Sequence, residues 1–129
     1  MAEYEPGVCN IGTRERRKRR LLGIASLVGG VAYVVAVVAV DWPPIALLAS
    51  YGFVFGAVLN FLQDREQFCA GFAMTERYDF SGNEDGPAGR VHNAAAVKTD
   101  RLRAGRLVAR ALAISLLITL AVYLGGTML

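Results

Sequence analysis

Cys9, Cys69 and His92 are the side chains in this sequence best suited to metal or redox chemistry. Two thiolates and an imidazole supply three of the four ligands of a tetrahedral zinc site, and two thiols alone can sense oxidation. The spacing argues against a metal: the closely paired ligands of structural zinc sites are missing, and no residue stands out as a fourth ligand. Cys69 is expected toward the C-terminal side of a helix, where no helix-start dipole favours its thiolate, so a small buried side chain is the plainer reading. Asp64 and Glu66 are the nearest thing to an acid–base pair, but two carboxylates beside an apolar run are ordinarily just solvated. No phosphate-binding glycine loop, hydrolase elbow or paired-histidine motif occurs. The sequence therefore predicts neither an enzyme nor a cofactor.

The elements that would position these residues are written in hydropathy. The chain has 129 residues, of which 54% are hydrophobic, more apolar surface than a core of this size can hide. Three runs lack any charge: Leu21 to Val40, Ile45 to Leu62 and Ala111 to Leu129. Each approaches the roughly 20 residues that a helix needs to cross a hydrocarbon layer about 30 Å thick. A soluble bundle would instead show a wet face at a period of 3.6, yet Leu21 to Val40 offers only Ser26 and Tyr33. The first run is too long for a signal-peptide core and reads as an uncleaved anchor. The expected fold class is an all-α integral membrane protein with three transmembrane helices, residues 21–40, 45–62 and 111–129. The outer turn at 41–44, Asp41-Trp42-Pro43-Pro44, makes the first two an antiparallel hairpin.

Basic residues fix the expected orientation. All fourteen Lys and Arg lie in the N-terminal segment 1–20 or between the second and third runs. Positive segments stay on the cytoplasmic side, so the N-terminus and the long loop are expected inside the cell membrane and the C-terminus outside. The block Arg14, Arg16, Arg17, Lys18, Arg19 and Arg20 thus reads as an orientation anchor that can also meet anionic lipid headgroups. Nucleic-acid binding need not be invoked for so short a cluster beside a membrane helix.

No Asp, Glu, Lys, Arg or His falls inside the three runs, which disfavours a pump or secondary transporter. The runs carry packing chemistry instead. Gly52 and Gly56 form a GxxxG with Asn60 on the same row, and Ser115, Thr119, Tyr123 and Thr127 form a weakly polar stripe. Packing of the three helices on one another explains these features more simply than self-association, although a homo-oligomer or a membrane-protein partner would use the same surfaces.

The cytoplasmic loop, 63–110, is electrically bipolar: net −4 over Gln63 to Gly89 and +5 over Arg90 to Arg110. The second helix is expected to continue to about Arg77, with Phe61, Phe68 and Phe72 at the interface. Residues 81–89 read as a flexible linker. Asn93 is a helix cap that opens a basic helical stalk, 93–110, running into the third span. Salt-screened, solvated surfaces are the plainer expectation for the two charged halves.

Cys9-Asn10-Ile11-Gly12 before the basic block, and Phe68-Cys69-Ala70-Gly71-Phe72-Ala73-Met74 after the second run, resemble motifs of a family of small, functionally uncharacterised prokaryotic integral membrane proteins with haloarchaeal and bacterial members. The likeness covers most of the chain up to the third span. It departs at Thr75-Glu76-Arg77-Tyr78-Asp79-Phe80, where similar proteins read Gly-Val-Phe-Asn-Phe. The resemblance implies a membrane location and supplies no activity. The functional expectation is a non-enzymatic accessory or scaffolding subunit. Its alternatives are a metal or thiol sensor using Cys9, Cys69 and His92, and a channel assembled from several copies.

Overall fold

In the computed structural model, which describes residues 4, 6–80 and 88–128, the chain is all-α apart from one small sheet. Helix α1 covers Thr13–Ala39, so the basic block is its first turns and not a tail before it. The helix stops where Asp41 takes a left-handed φ of 59° and Pro43-Pro44 cannot continue the ladder. The return begins as a 3-10 helix, Pro44–Ser50, and becomes regular in α2, Tyr51–Glu66. Tyr33 donates its hydroxyl to the Ala46 carbonyl at 2.7 Å, supplying a partner to the irregular stretch from across the hairpin.

Helix α2 ends at Glu66, about three turns before the expected end near Arg77. Gln67 sits in the left-handed region at φ 56°, and its carbonyl accepts the Asn10 and Ile11 amides. The turn leads into the short α3, Ala70–Met74. Phe68, expected at a lipid interface, is instead wholly buried with Ala70, Ala73, Ala104 and Leu107. Strands β1, Arg77–Asp79, and β2, Ala88–Arg90, pair antiparallel, with Tyr78 opposite Gly89. Ala88 and Gly89, expected in the flexible linker 81–89, therefore belong to a strand, and the rest of that expectation, 81–87, lies outside the described residues.

Helix α4, Ala94–Thr127, joins the expected stalk and third span in one rod of 34 residues. Asn93 caps it by accepting from the Ala95 and Ala96 amides. At about 1.5 Å per residue the rod is about 50 Å long, so about 20 Å stands beyond a hydrocarbon layer. One face is buried at Asp100, Ala104, Leu107, Ala111, Ser115 and Thr119, a three-and-four spacing that holds from stalk to span.

Helix α1 meets α2 through its glycines. Cβ atoms added at Gly23 and Gly29 would stand 2.9 Å from the Phe61 and Phe53 rings, so glycine lets these rings approach α1 closely. Three helical segments, Thr13–Ala39, Pro44–Glu66 and Ala94–Thr127, are long and apolar enough to cross a membrane. Their outer surfaces remain uncovered, with Leu117 at 68% and Val28 at 63% exposure. Such surface requires lipid or another protein around it, and the architecture is that of a small multi-pass membrane protein.

Candidate functional site

Chemistry-bearing residues collect at one end of the helices, in a cap built from the N-terminal arm, the α2–α3 turn, α3, the two strands and the first turns of α4. Its centre is Asn10, which has no exposed surface. The Asn10 side chain donates Nδ2–H to the Cys69 carbonyl at 3.0 Å, and its Oδ1 accepts the Cys69 amide at 2.7 Å. An amide thus completes the backbone pairing of a residue that belongs to no sheet or long helix. Gln63, also buried, accepts the Ala70 amide at Oε1 and the Phe68 amide at its carbonyl. Around them the arm pairs with β1: Gly12 donates to the Asp79 carbonyl and Asp79 donates to that of Asn10. Gly12 lies so near Phe80 that an added Cβ would approach the Phe80 Cα to 2.9 Å, which accounts for glycine at that position.

The two sequence motifs around Cys9 and Cys69 are therefore one structure, joined by Asn10. This does not make a metal centre. Among the described residues no three His, Cys, Asp or Glu side chains are grouped so as to hold an ion. Cys69 is 5% exposed and takes an Arg19 Nη2 donor on Sγ at 3.1 Å. Cys9 is half-buried, and neither cysteine is in a disulfide. His92 is exposed, beside an open groove of ≈ 560 Å³ shared with Glu76, Lys98 and Arg101. The sequence brought Cys9, Cys69 and His92 together as candidate ligands; the fold does not assemble them as a metal-holding group.

Most of the charge is consumed locally. Buried Glu15 pairs with Lys18 and Arg19, each at 3.1 Å, and Asp64 pairs with Arg16 at 3.3 Å and Arg20 at 3.0 Å. Arg14 lies 3.7 Å from Asp79. Glu66 pairs with both Arg103 and Arg110 of α4. Arg101 and Arg90 reach Glu76 at 3.3 Å and 3.7 Å. Among the described acids of the loop's first half, Glu66 and Glu76 thus reach the basic stalk, whereas Asp64 and Asp79 pair with α1. Arg19 and Arg77 lie over the Phe72 ring at 5.6 Å and 5.5 Å, so the aromatic side chain is flanked by two cations.

Asp100 is the residue whose importance was hidden in the sequence. It is buried in the stalk and accepts from the Tyr4 hydroxyl at 2.6 Å and the Gly7 amide at 2.7 Å, tying the arm to α4. Arg103 completes the tie by donating to the Gly7 carbonyl at 2.9 Å. Burial, then the hydrogen bond to Asp100 and its negative charge, hold the Tyr4 phenol well above its usual pKa. The available signal was Asp100 as the lone acid among six bases.

Within the helices Gly56, Gly52 and Asn60 separate. Gly56 faces Ser26 so closely that an added Cβ would lie 2.9 Å from its Oγ, while Gly52 opens onto empty space. Asn60 donates to the Gly56 carbonyl of its own helix at 2.7 Å, not to a neighbouring one. Ser115 and Thr119 are both buried with hydroxyls that find no partner. Comparison of the chain with family models, with curated proteins and with solved structures yielded no match. The residues point to a small multi-pass membrane protein whose polar end is a folded, internally paired cap.

Proposed function

We propose that this chain is a non-enzymatic accessory or scaffolding subunit of a cell membrane, with its N-terminus and cap on the cytoplasmic side and its C-terminus outside. The orientation follows from the cap's basic residues. One observation carries the role: the cap's buried polar groups close on one another, Asn10 on Cys69 and Asp100 on Tyr4 and Gly7, whereas the helices leave a broad apolar surface uncovered. A rigid end and an unpartnered belt suit a protein that holds a position beside other helices. The Cys9–Gly12 and Phe68–Met74 motifs, by which the chain resembles a family of small prokaryotic membrane proteins, meet in the cap.

Co-purification from its own membrane in mild detergent tests the role. A partner in fixed stoichiometry, lost when Asn10→Ala disorders the cap, is the expected result. A chain that purifies alone and conducts ions in a planar bilayer would be a channel. One that purifies alone and changes mass on mild oxidation would be a thiol sensor. Labelling of Cys9 from the outer side of intact cells would reverse the orientation.

A further inference from the structure

The ion pairs separate arginines that hold the protein together from arginines that have nothing to hold. Where α1, α2 and α4 leave their apolar runs, Arg16 and Arg20 close on Asp64, Arg19 on Glu15, and Arg103 and Arg110 on Glu66. Arg17, Arg65 and Arg106 stand at the same level and differ. All three are exposed, and their side chains make no ion pair, hydrogen bond or ring contact among the described residues.

Their depth is set by helix geometry. Arg17 precedes Leu21 by four residues, Arg65 follows Leu62 by three, and Arg106 precedes Ala111 by five. At about 1.5 Å per residue, all three backbones lie about 4 to 8 Å beyond the apolar edge. An arginine side chain bridges that distance, with its stem along the helix and its guanidinium among headgroup phosphates. The guanidinium fork fits phosphate oxygens in a bidentate manner. The three residues sit on three different helices, each two residues from a buried position of its own helix, Glu15, Gln63 and Ala104, and hence on its outer side. That distribution suits a ring of lipid better than a docked macromolecule. Lys98 supplies the contrast: it is exposed and unpaired, but thirteen residues before Ala111 and hence about 20 Å away, beyond the headgroups.

We infer that Arg17, Arg65 and Arg106 form a collar that binds the phosphates of anionic phospholipid around the inner end of the three helices. This rests on the membrane reading above. It also narrows the lipid contact within the N-terminal block, where Arg16, Arg19 and Arg20 serve the fold.

The test is lipid enrichment in nanodiscs made from phosphatidylcholine mixed with phosphatidylglycerol, read by native mass spectrometry of the lipids retained on the released protein. The natural chain should retain phosphatidylglycerol preferentially, and added salt should weaken the preference. Replacing all three arginines by glutamine should reduce it at least about fivefold, the value of even one basic residue at about 1 kcal/mol. The triple lysine variant should keep most of it, and Lys98→Gln should leave it unchanged. Since none of the three makes an ion pair, hydrogen bond or ring contact among the described residues, thermal melting of the glutamine variant should match the natural chain, and each single variant provides a separate reading. Equal enrichment in the triple glutamine variant, an equal loss in Lys98→Gln, or no preference in the natural chain would each overturn the collar. Failure to enter nanodiscs at all would instead overturn the membrane reading.

Discussion

Asn10 holds both backbone hydrogen-bonding groups of Cys69, a residue 59 positions away, with its carboxamide at 2.7 Å and 3.0 Å. The pairing closes the arm onto the α2–α3 turn and buries Phe68 beneath it.

Asn10→Ala should consequently leave the buried Cys69 N–H without a partner, while the Cys69 carbonyl keeps the Ala73 amide, at a cost of about 1 to 3 kcal/mol. Thermal or urea unfolding in detergent would measure the loss. Hydrogen exchange should rise first in the arm and at Cys69, while the centres of the helices remain protected. A variant as stable as the natural chain would mean that water replaces the amide and that the cap is less tightly closed than described.

The Tyr4–Asp100 contact predicts an alkaline limit. Because the folded pKa of Tyr4 is raised above its ordinary 10, the folded state keeps the phenol proton that the unfolded chain releases. Its contribution is complete below about pH 10 and disappears as pH rises toward the folded value. Melting of the natural chain should therefore fall more steeply above about pH 10 than melting of Tyr4→Phe, with the two curves running parallel at neutral pH. Parallel curves throughout would remove this assignment.

The cysteines should differ in reactivity. Cys69 is 5% exposed beneath Arg19 and Asn10, whereas Cys9 is half-buried. Maleimide should label Cys9 first, and Cys69 should react at a comparable rate only after unfolding or in Asn10→Ala. Rapid labelling of both in the natural chain contradicts the burial of the turn.

Ser115 and Thr119 place two unpartnered hydroxyls inside the helix packing. Ser115→Ala and the nearly isosteric Thr119→Val should each stabilise the protein by about 1 kcal/mol, since removing a buried polar group with no partner removes its desolvation cost. Unfolding in detergent reads the sign. Destabilisation by both would indicate that a water molecule bridges them.

Gly56 and Gly52, identical in sequence terms, should respond differently. Gly56→Leu forces a side chain into Ser26 and should cost about 1 to 3 kcal/mol through overpacking of α1 on α2. Gly52→Leu projects into open space and should stay within about 0.5 kcal/mol. Crosslinking in membranes gives the complementary reading: a change of oligomer bands with Gly52→Leu alone would assign that surface to self-association.

The three apolar helices and the Asn93 cap were legible because each depends on local pattern: run length, absence of charge, and a capping residue before alanines. The end of α2 was not. Nothing in Gln63-Asp64-Arg65-Glu66-Gln67 forbids a helix, and the chain turns because Gln67 offers its carbonyl to Asn10 and Ile11, residues far away in sequence. Phe68, on a helical period that suited an interface, went to the interior for the same reason. The two halves of the loop read as oppositely charged surfaces, but which acid meets which base depended on how α2 and α4 pack, and that packing gave Glu66 to Arg103 and Arg110.

By itself, then, the sequence determined the solvent these helices need and the number of spans, since hydropathy and length act residue by residue. Tertiary structure alone decided that the motifs holding Cys9 and Cys69 form one clasp, that His92 stands apart, and which arginines are spent on carboxylates. Hydrogen bonds and ion pairs depend on distances of about 3 Å between specific atoms, and those distances exist only once the helices have packed.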